Sequence, residues 1–377
     1  VTLPASPAIG DQIVFADYAR TWATYNLIID SNGNNFQGDP DTFTVDYDTA
    51  GQSLNIVYSD ATKGWIPVSD DAVANAPVAP PTQKAIFAFG NRYIPDGDQS
   101  VTYGMSNLVN SSGVVAADVA ATGGDFTQRG AATYGTDKAI FAFGSDGSSQ
   151  VNTINLVSNA GVVASNSSGT GSARLSLAAT TYGLTGTAIF AYGIQSGTSV
   201  NKSNKVSNTG GVASDTSGVG TARHDFGAAG FGSSGQGIFA FGYSNTAGSQ
   251  QNVSNIVSNT GVIASNQSGV GSARSGLTAT AFGGDKCIFG FGSANVSNKV
   301  SNTGVVASDV SFSGTSRIGS AGANYGGTLG LFQFGANSTT YYNTKNLVSD
   351  SGVIASDASS TGTIRANLSA AGYSISA

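Results

Sequence analysis

Beyond residue 83 the apolar positions of the chain fall in short runs that end on glycine. Ile86-Phe87-Ala88-Phe89-Gly90 returns as Ile140 to Gly144, Ile189 to Gly193, Ile238 to Gly242, Ile288 to Gly292 and Leu331 to Gly335. The starts are 54, 49, 49, 50 and 43 residues apart. In a composition poor in helix formers and rich in turn formers these short runs read as strands, and a period near 50 residues predicts propeller blades or solenoid units. The third unit gives the expected strand order. Strand b is Ile189-Phe190-Ala191-Tyr192, strand c is Asn204-Lys205-Val206-Ser207, strand d is Gly211-Val212-Ala213-Ser214, and strand a of the next unit spans Ala222 to Gly232. Between c and d stand Asn208-Thr209-Gly210, Asn259-Thr260-Gly261 and Asn302-Thr303-Gly304, whose glycine suits a tight antiparallel turn.

The ends of the repeat decide between the two architectures. Its first element is a strand b, and its last, Arg365 to Ile375, is a strand a with no following apolar run. Pairing of that strand with Ile86 to Phe89 closes a ring, whereas a solenoid leaves two raw edges. Residues 84–377 then divide into six units averaging 49 residues. The expected fold is all-β: a small N-terminal β-domain at 1–68, a Pro-rich linker at 69–83, and a six-bladed β-propeller at 84–377 closed by the C-terminal strand. An arginine stands eight residues before an aromatic in five units, at Arg174, Arg223, Arg274, Arg317 and Arg365; Arg129 lies five before Tyr134 and marks one unit as irregular. The arginines are expected to be structural, bonding carbonyls between blades. The order of arginine, small residues, aromatic strand with glycine and polar hairpin resembles kelch-type propellers, although the glycine is single and the usual blade tryptophan is missing.

Residues 1–68 have another texture, with both tryptophans and alternating segments at Gln12 to Phe15, Asn26 to Ile29, Phe43 to Tyr47, Leu54 to Tyr58 and Gly64 to Val68. About five short strands are expected. The segments Gly10 to Asp17, Asn26 to Gly33 and Val57 to Trp65 resemble a small β-domain common in structural and fibre proteins of tailed bacteriophages. The recurring Asn-Leu-Val-Ser-Asn-x-Gly-Val-Val-Ala-Ser-Asp text is similar to repeats in virion proteins of environmental phages. The resemblance implies a virion module, often trimeric. Residues 69–83 hold three prolines and no aromatic, the composition of an extended spacer.

Charge and chemistry then narrow the function. All 22 acidic residues are Asp, the net charge is −6, and no Lys/Arg run forms the basic patch that nucleic acid or an anionic membrane needs. No apolar run approaches the roughly 20 residues of a membrane helix, and no charged-then-apolar leader opens the chain, so the expectation is a soluble protein, with a leader or a longer N-terminal part possible ahead of Val1. One cysteine, Cys287, forbids an internal disulfide and reads as a small buried apolar residue. One histidine, His224, cannot build a multi-histidine metal centre, and no Gly-x-Ser-x-Gly elbow surrounds a serine for a Ser-His-Asp site. Asp39, Asp41, Asp46 and Asp48, like Asp96 and Asp98, read as turn or strand-edge carboxylates rather than calcium ligands. No cofactor, metal or catalytic residue is expected.

One set of loops varies in length. The b–c loops hold 16, 10, 10, 12, 5 and 10 residues between the glycine of strand b and the asparagine of strand c, while the inter-unit loops hardly change. Variation confined to one end of a rigid scaffold marks a binding face, and its aromatics, Tyr93, Tyr103, Tyr243, Tyr341 and Tyr342, are the candidate contacts. The expected function is that of a non-enzymatic phage virion protein, a tail fibre or other appendage. Residues 1–68 would join other virion proteins and the propeller would meet a host surface glycan or protein, in a homo-oligomer that the phage resemblance makes a trimer. A capsid decoration or head fibre, a secreted lectin-like propeller and a cryptic hydrolase are the alternatives.

Overall fold

The computed structural model describes residues 1–39, 41, 44–69, 81–94, 99–120, 122–338 and 340–377. Among them every regular element is a strand, so the chain is all-β. It divides into two compact units, Val1–Val78 and Ala79–Ala377. The Pro-rich spacer and the Asp96/Asp98 turn fall almost wholly outside the described residues.

In the first unit β1 (Gln12–Ala16), β2 (Leu27–Ile29), β3 (Val45–Tyr47), β4 (Ser53–Asp60) and β5 (Gly64–Ser69) form the sheets β1-β4-β5 and β2-β3. Alternation along β4 turns Leu54, Ile56 and Tyr58 onto Ile29, Phe36 and Trp65. Trp65 is fully buried and meets Tyr58 edge to face at 5.5 Å. Gly64 has φ +65°, and a Cβ there would stand 1.7 Å from the Asn35 carbonyl oxygen, so only glycine fits. The Asp17 carboxylate accepts the amides of Thr21, Trp22 and Gly51, while Asp41 accepts Ser31 Oγ and the Gly33 amide.

Among the described residues the second unit holds six antiparallel sheets with strands in the order a-b-c, beside three two-stranded hairpins. Sheet 1 is Ser369–Tyr373, Lys84–Ala88 and Ser106–Val109; sheet 2 is Gly130–Tyr134, Lys138–Ala142 and Thr153–Val157; sheet 3 is Ala178–Tyr182, Thr187–Ala191 and Ser203–Val206. Sheet 4 is Gly227–Phe231, Gln236–Ala240 and Ser254–Val257; sheet 5 is Leu277–Phe282, Lys286–Phe291 and Val296–Val300; sheet 6 is Ala321–Tyr325, Leu329–Gln333 and Thr344–Val348. Sheet 1 joins the two ends of the repeat, with Ser369 opposite Ala88 and Tyr373 opposite Lys84. The a strands of successive sheets pack side by side, and that of sheet 1 lies against those of both sheet 2 and sheet 6.

The apolar runs are unbroken because both faces of each b strand are covered. Ile86 and Ala88 pack on Ala139 and Phe141 of sheet 2, while Phe87 packs on Ala323, Tyr325 and Leu331 of sheet 6. Each such Ile or Phe removed from water contributes about 1.5 to 3 kcal/mol. Cys287 sits in the same kind of packing against sheet 4, fully buried, and burial pushes its thiol far above the ordinary value.

Two expected strands are corrected. Strand d shrinks to single bridges such as Val206↔Val212, or to two-residue strands at Ser167–Ser168, Val310–Ser311 and Ala358–Ser359. The Asn or Asp side chains of that segment turn inward to bond strand c instead of leaving a regular ladder. Strand a begins at Gly227 rather than Ala222, because Arg223 and its neighbours first cross the end of the sheet.

Two cycles of backbone hydrogen bonds tie the a strands together. At the b–c end the amide of Ser176 donates to Gln128 O, Asp225 to Ser176, Gly276 to Asp225, Gly319 to Gly276, Asn367 to Gly319, and Gln128 to Asn367, with lengths of 2.7 to 3.1 Å. At the a–b end Gly135 donates to Gly186, Gly183 to Gly235, Gly232 to Asp285, Gly283 to Thr328, Gly326 to Gln83, and Ser374 to Asp137. A Gln83 N–H to Ser374 O bond of 2.7 Å stands in for the missing a–b turn of sheet 1 and completes the second cycle.

Candidate binding surface

The b–c end rests on a repeated buried framework. The fourth residue of each apolar run, Phe89, Phe143, Tyr192, Phe241, Phe291 and Phe334, has φ between 57° and 67°, and the glycine after it also has positive φ. The left-handed conformation is costly for an aromatic, and here it lays the ring under a guanidinium of the next sheet. Arg129, Arg174, Arg223, Arg274, Arg317 and Arg365 stand 3.9 to 4.9 Å above those rings. All six arginines are buried.

Each arginine also grips its own sheet. Arg174 donates to Tyr192 O and to Asn204 Oδ1, and the same asparagine bond joins Arg129 to Asn155, Arg274 to Asn298, Arg317 to Asn346 and Arg365 to Asn107. The asparagine Nδ2 bonds the chain nine residues on and then Asp118, Asn166, Asp215, Asn266, Asp309 or Asp357 eleven residues on. The arginine series is therefore structural, but its guanidinium bonds lie within a sheet. The link between sheets runs through the stacked ring and through the arginine carbonyl, which accepts the glycine amide of the preceding sheet, as in Gly193 to Arg223.

The irregular unit has a simple cause. Gly90 donates to Phe126 O, where the other sheets use the arginine carbonyl. Phe126 thus holds the usual arginine position in the backbone, and Arg129 holds the position of Leu177. The side chains cross back, so that Arg129 stands over both Phe89 and Phe126 and still reaches Asn155.

Burial lowers the guanidinium values to about 10 for Arg174, Arg274, Arg317 and Arg365 and to about 9 for Arg129, which leaves all of them charged at neutral pH. Burial raises the Asp215 carboxyl, yet hydrogen bonds from Ser172 and Asn204 outweigh that and hold it far below the usual range. Asp118, Asp309 and Asp357 are lowered by the same balance.

On this base stand the variable b–c connections. Sheet 1 carries a hairpin of Asn91–Ile94 and Gln99–Thr102, sheet 3 one of Ile194–Gln195 and Thr198–Ser199, and sheet 4 one of Tyr243–Ser244 and Ser249–Gln250. Sheets 2 and 6 have bridges, Ser145↔Gln150 and Ala336↔Tyr341. Neighbours are cross-linked by Ser196 N to Gln150 Oε1 at 3.1 Å, Ser199 Oγ to Asn245 Oδ1 at 2.7 Å and Ser293 Oγ to Gln250 Oε1 at 3.3 Å.

The five tyrosines do not form one platform. Tyr93 is 45% exposed, and the other four are half-buried. The Tyr93 amide donates to Tyr341 Oη at 2.9 Å, which brings sheets 1 and 6 together, and Tyr342 Oη accepts from Asn337. Tyr103 supports the sheet 1 hairpin through bonds to Gly90 and Phe126, and Tyr243, on sheet 4, lies against His224 at 5.6 Å.

His224 is buried with Nδ1 3.1 Å from Ser199 Oγ and Nε2 3.7 Å from Asp225 Oδ2. This has the membership of a Ser-His-Asp site without its proton path. Ser199 spends its hydroxyl proton on Asn245 Oδ1 and accepts the Asn245 amide, so its remaining role toward His224 is as acceptor. Burial lowers the His224 value, and Asp225 offsets only part of that.

Among the described residues no three His, Cys or Asp side chains gather as metal ligands, and no helix is long and apolar enough to cross a membrane. The asparagine series escaped the sequence reading, although its constant place in strand c was visible. Comparison with known proteins found no family model and no curated protein that matches this chain.

Proposed function

We propose that residues 84–377 form a six-bladed, kelch-like β-propeller, and that the protein is a non-enzymatic structural component of a tailed-phage particle whose b–c end contacts the host surface. The two hydrogen-bond cycles and the pairing of Ser369–Tyr373 with Lys84–Ala88 support the closed ring. The observation that carries the functional reading is polarity. Thr82 and Gln83, near the start of this unit, bond to the a–b turn of sheet 6, while the hairpins of unequal length stand at the other end. A scaffold held from its constant end presents its variable end outward. The phage assignment and assembly as a homotrimer rest on the resemblance of residues 10–65 and of the repeats. Gold-labelled antibody against residues 84–377 on purified particles tests the reading. Label at the tail supports host contact, label over the head makes this a decoration or head-fibre protein, and unlabelled particles refute the virion assignment.

A further inference from the structure

At the b–c end the a strands surround a cavity of about 190 Å³, room for a single saccharide ring. Its rim is the first hydrogen-bond cycle: Gln128, Ser176, Asp225, Gly276, Gly319 and Asn367. We propose that this cavity binds an amino sugar and that Asp225 receives its ammonium group. The proposal deepens the glycan-contact reading above and rests on it.

The rim side chains are not explained by the backbone. All six positions have positive φ, and Gly276 and Gly319 adopt it freely. Gln128, Ser176, Asp225 and Asn367 hold φ of 53° to 54° in a region that disfavours L residues, although glycine serves the same hydrogen bonds in sheets 5 and 6. Gln128 Nε2 donates to Ser176 Oγ and Asn367 Nδ2 to Asn91 Oδ1, which uses one donor of each amide and fixes the amide planes, with their oxygens as acceptors.

Asp225 adds the charge. Its side chain is 42% exposed, and among the described residues its one ion-pair partner is His224, at 3.7 Å. His224 is held below its ordinary value by burial and is neutral at pH 7, so it does not balance the carboxylate. Ser320 makes a third departure. It stands where other sheets have Leu177, Phe226, Leu277 and Leu368 and is 6% exposed; its unpartnered hydroxyl oxygen is itself buried, so Ser320 shapes the cavity lining without offering that oxygen to a ligand. A carboxylate and acceptor oxygens around a one-ring space match a ligand with one ammonium and several hydroxyls.

The test is titration calorimetry of the full chain with glucosamine, glucose and N-acetylglucosamine. Glucosamine is expected to bind at least tenfold more tightly than either neutral sugar, and Asp225→Asn, which keeps the backbone cycle, to abolish that preference. Ser176→Gly is expected to weaken glucosamine with an unchanged melting temperature. Equal binding of the three sugars, or of glucosamine to wild type and Asp225→Asn, overturns the proposal, as does selectivity for any primary amine, such as ethylamine, equal to that for glucosamine. Should Asp225→Asn misfold, the sugar comparison on the wild type decides alone. Attachment of the protein to host cells is scored separately: attachment without glucosamine binding sinks this site and leaves the host-contact reading, and the reverse sinks that reading.

Discussion

The Arg365 guanidinium donates to Asn107 Oδ1 at 2.8 Å across 258 positions of sequence. It joins the segment before the last strand to the first c strand of the repeat with the same bond that other sheets make locally. Arg365→Ala removes this donor from a fully buried site and leaves Asn107 and Phe89 O without it. A loss of about 3 kcal/mol or more is expected, read by denaturant melting. Arg365→Lys should recover little, since an ammonium cannot reproduce the planar fork.

Sheet 4 supplies the contrast. Arg223 bonds Phe239 O and Thr221 O, but its Nε and Asn255 Oδ1 have no partners. Arg223→Lys is therefore expected to cost less than Arg365→Lys by about 1 kcal/mol, the worth of a hydrogen bond. Equal losses would mean that stacking on the aromatic, common to both, dominates.

Glycines separate backbone strain from packing. Gly261 and Gly284 both have positive φ, yet a Cβ on Gly261 would stand 2.6 Å from the Tyr182 ring, whereas one on Gly284 meets nothing within 4 Å. Gly284→Ala should cost about 1 kcal/mol. Gly261→Ala should cost clearly more, because the c–d turn must back away from Tyr182.

Much of this plan was legible in the residues. The recurring Ile-Phe-Ala-Phe-Gly runs marked the b strands, and the unmatched strand after Arg365 pointed to its pairing with Lys84–Ala88. The exchange of Phe126 and Arg129 was visible only as an odd spacing, because which side chain crosses the sheet end depends on tertiary packing. The hydrogen-bond cycles were hidden, since positive φ at Gln128, Ser176 and Asp225 has no sequence signal comparable to glycine. Strand d was overstated because its Asn or Asp bonds inward, a choice that alternation does not encode.

Acid should act through that same segment. Asp118, Asp215, Asp309 and Asp357 have folded values below the ordinary 3.8, so their stabilisation is complete above about pH 4 and is lost as pH falls through the folded values. Sheets 2 and 4 carry Asn166 and Asn266 in the same place and do not titrate there. The fourfold Asp→Asn variant is expected to flatten the fall in melting temperature between pH 5 and about 2. A fall as steep as the wild type's would place acid sensitivity elsewhere.

Tyr93 is exposed on the sheet 1 hairpin, and its link to Tyr341 uses the backbone amide. Tyr93→Ala keeps that amide and should weaken attachment to host cells while the chain still folds, read by its melting transition. Unchanged attachment would remove this hairpin from the contact surface.

The proposed closure of the ring bears on all of these, and removal of residues 364–377 tests it most directly. The deletion takes away Arg365, the a strand of sheet 1, and Asn367 and Ser374 from the two cycles. The predicted result is loss of the single cooperative melting transition of residues 84–377, because five remaining a strands cannot complete either cycle. A truncated protein that melts as the wild type does would contradict the closed ring.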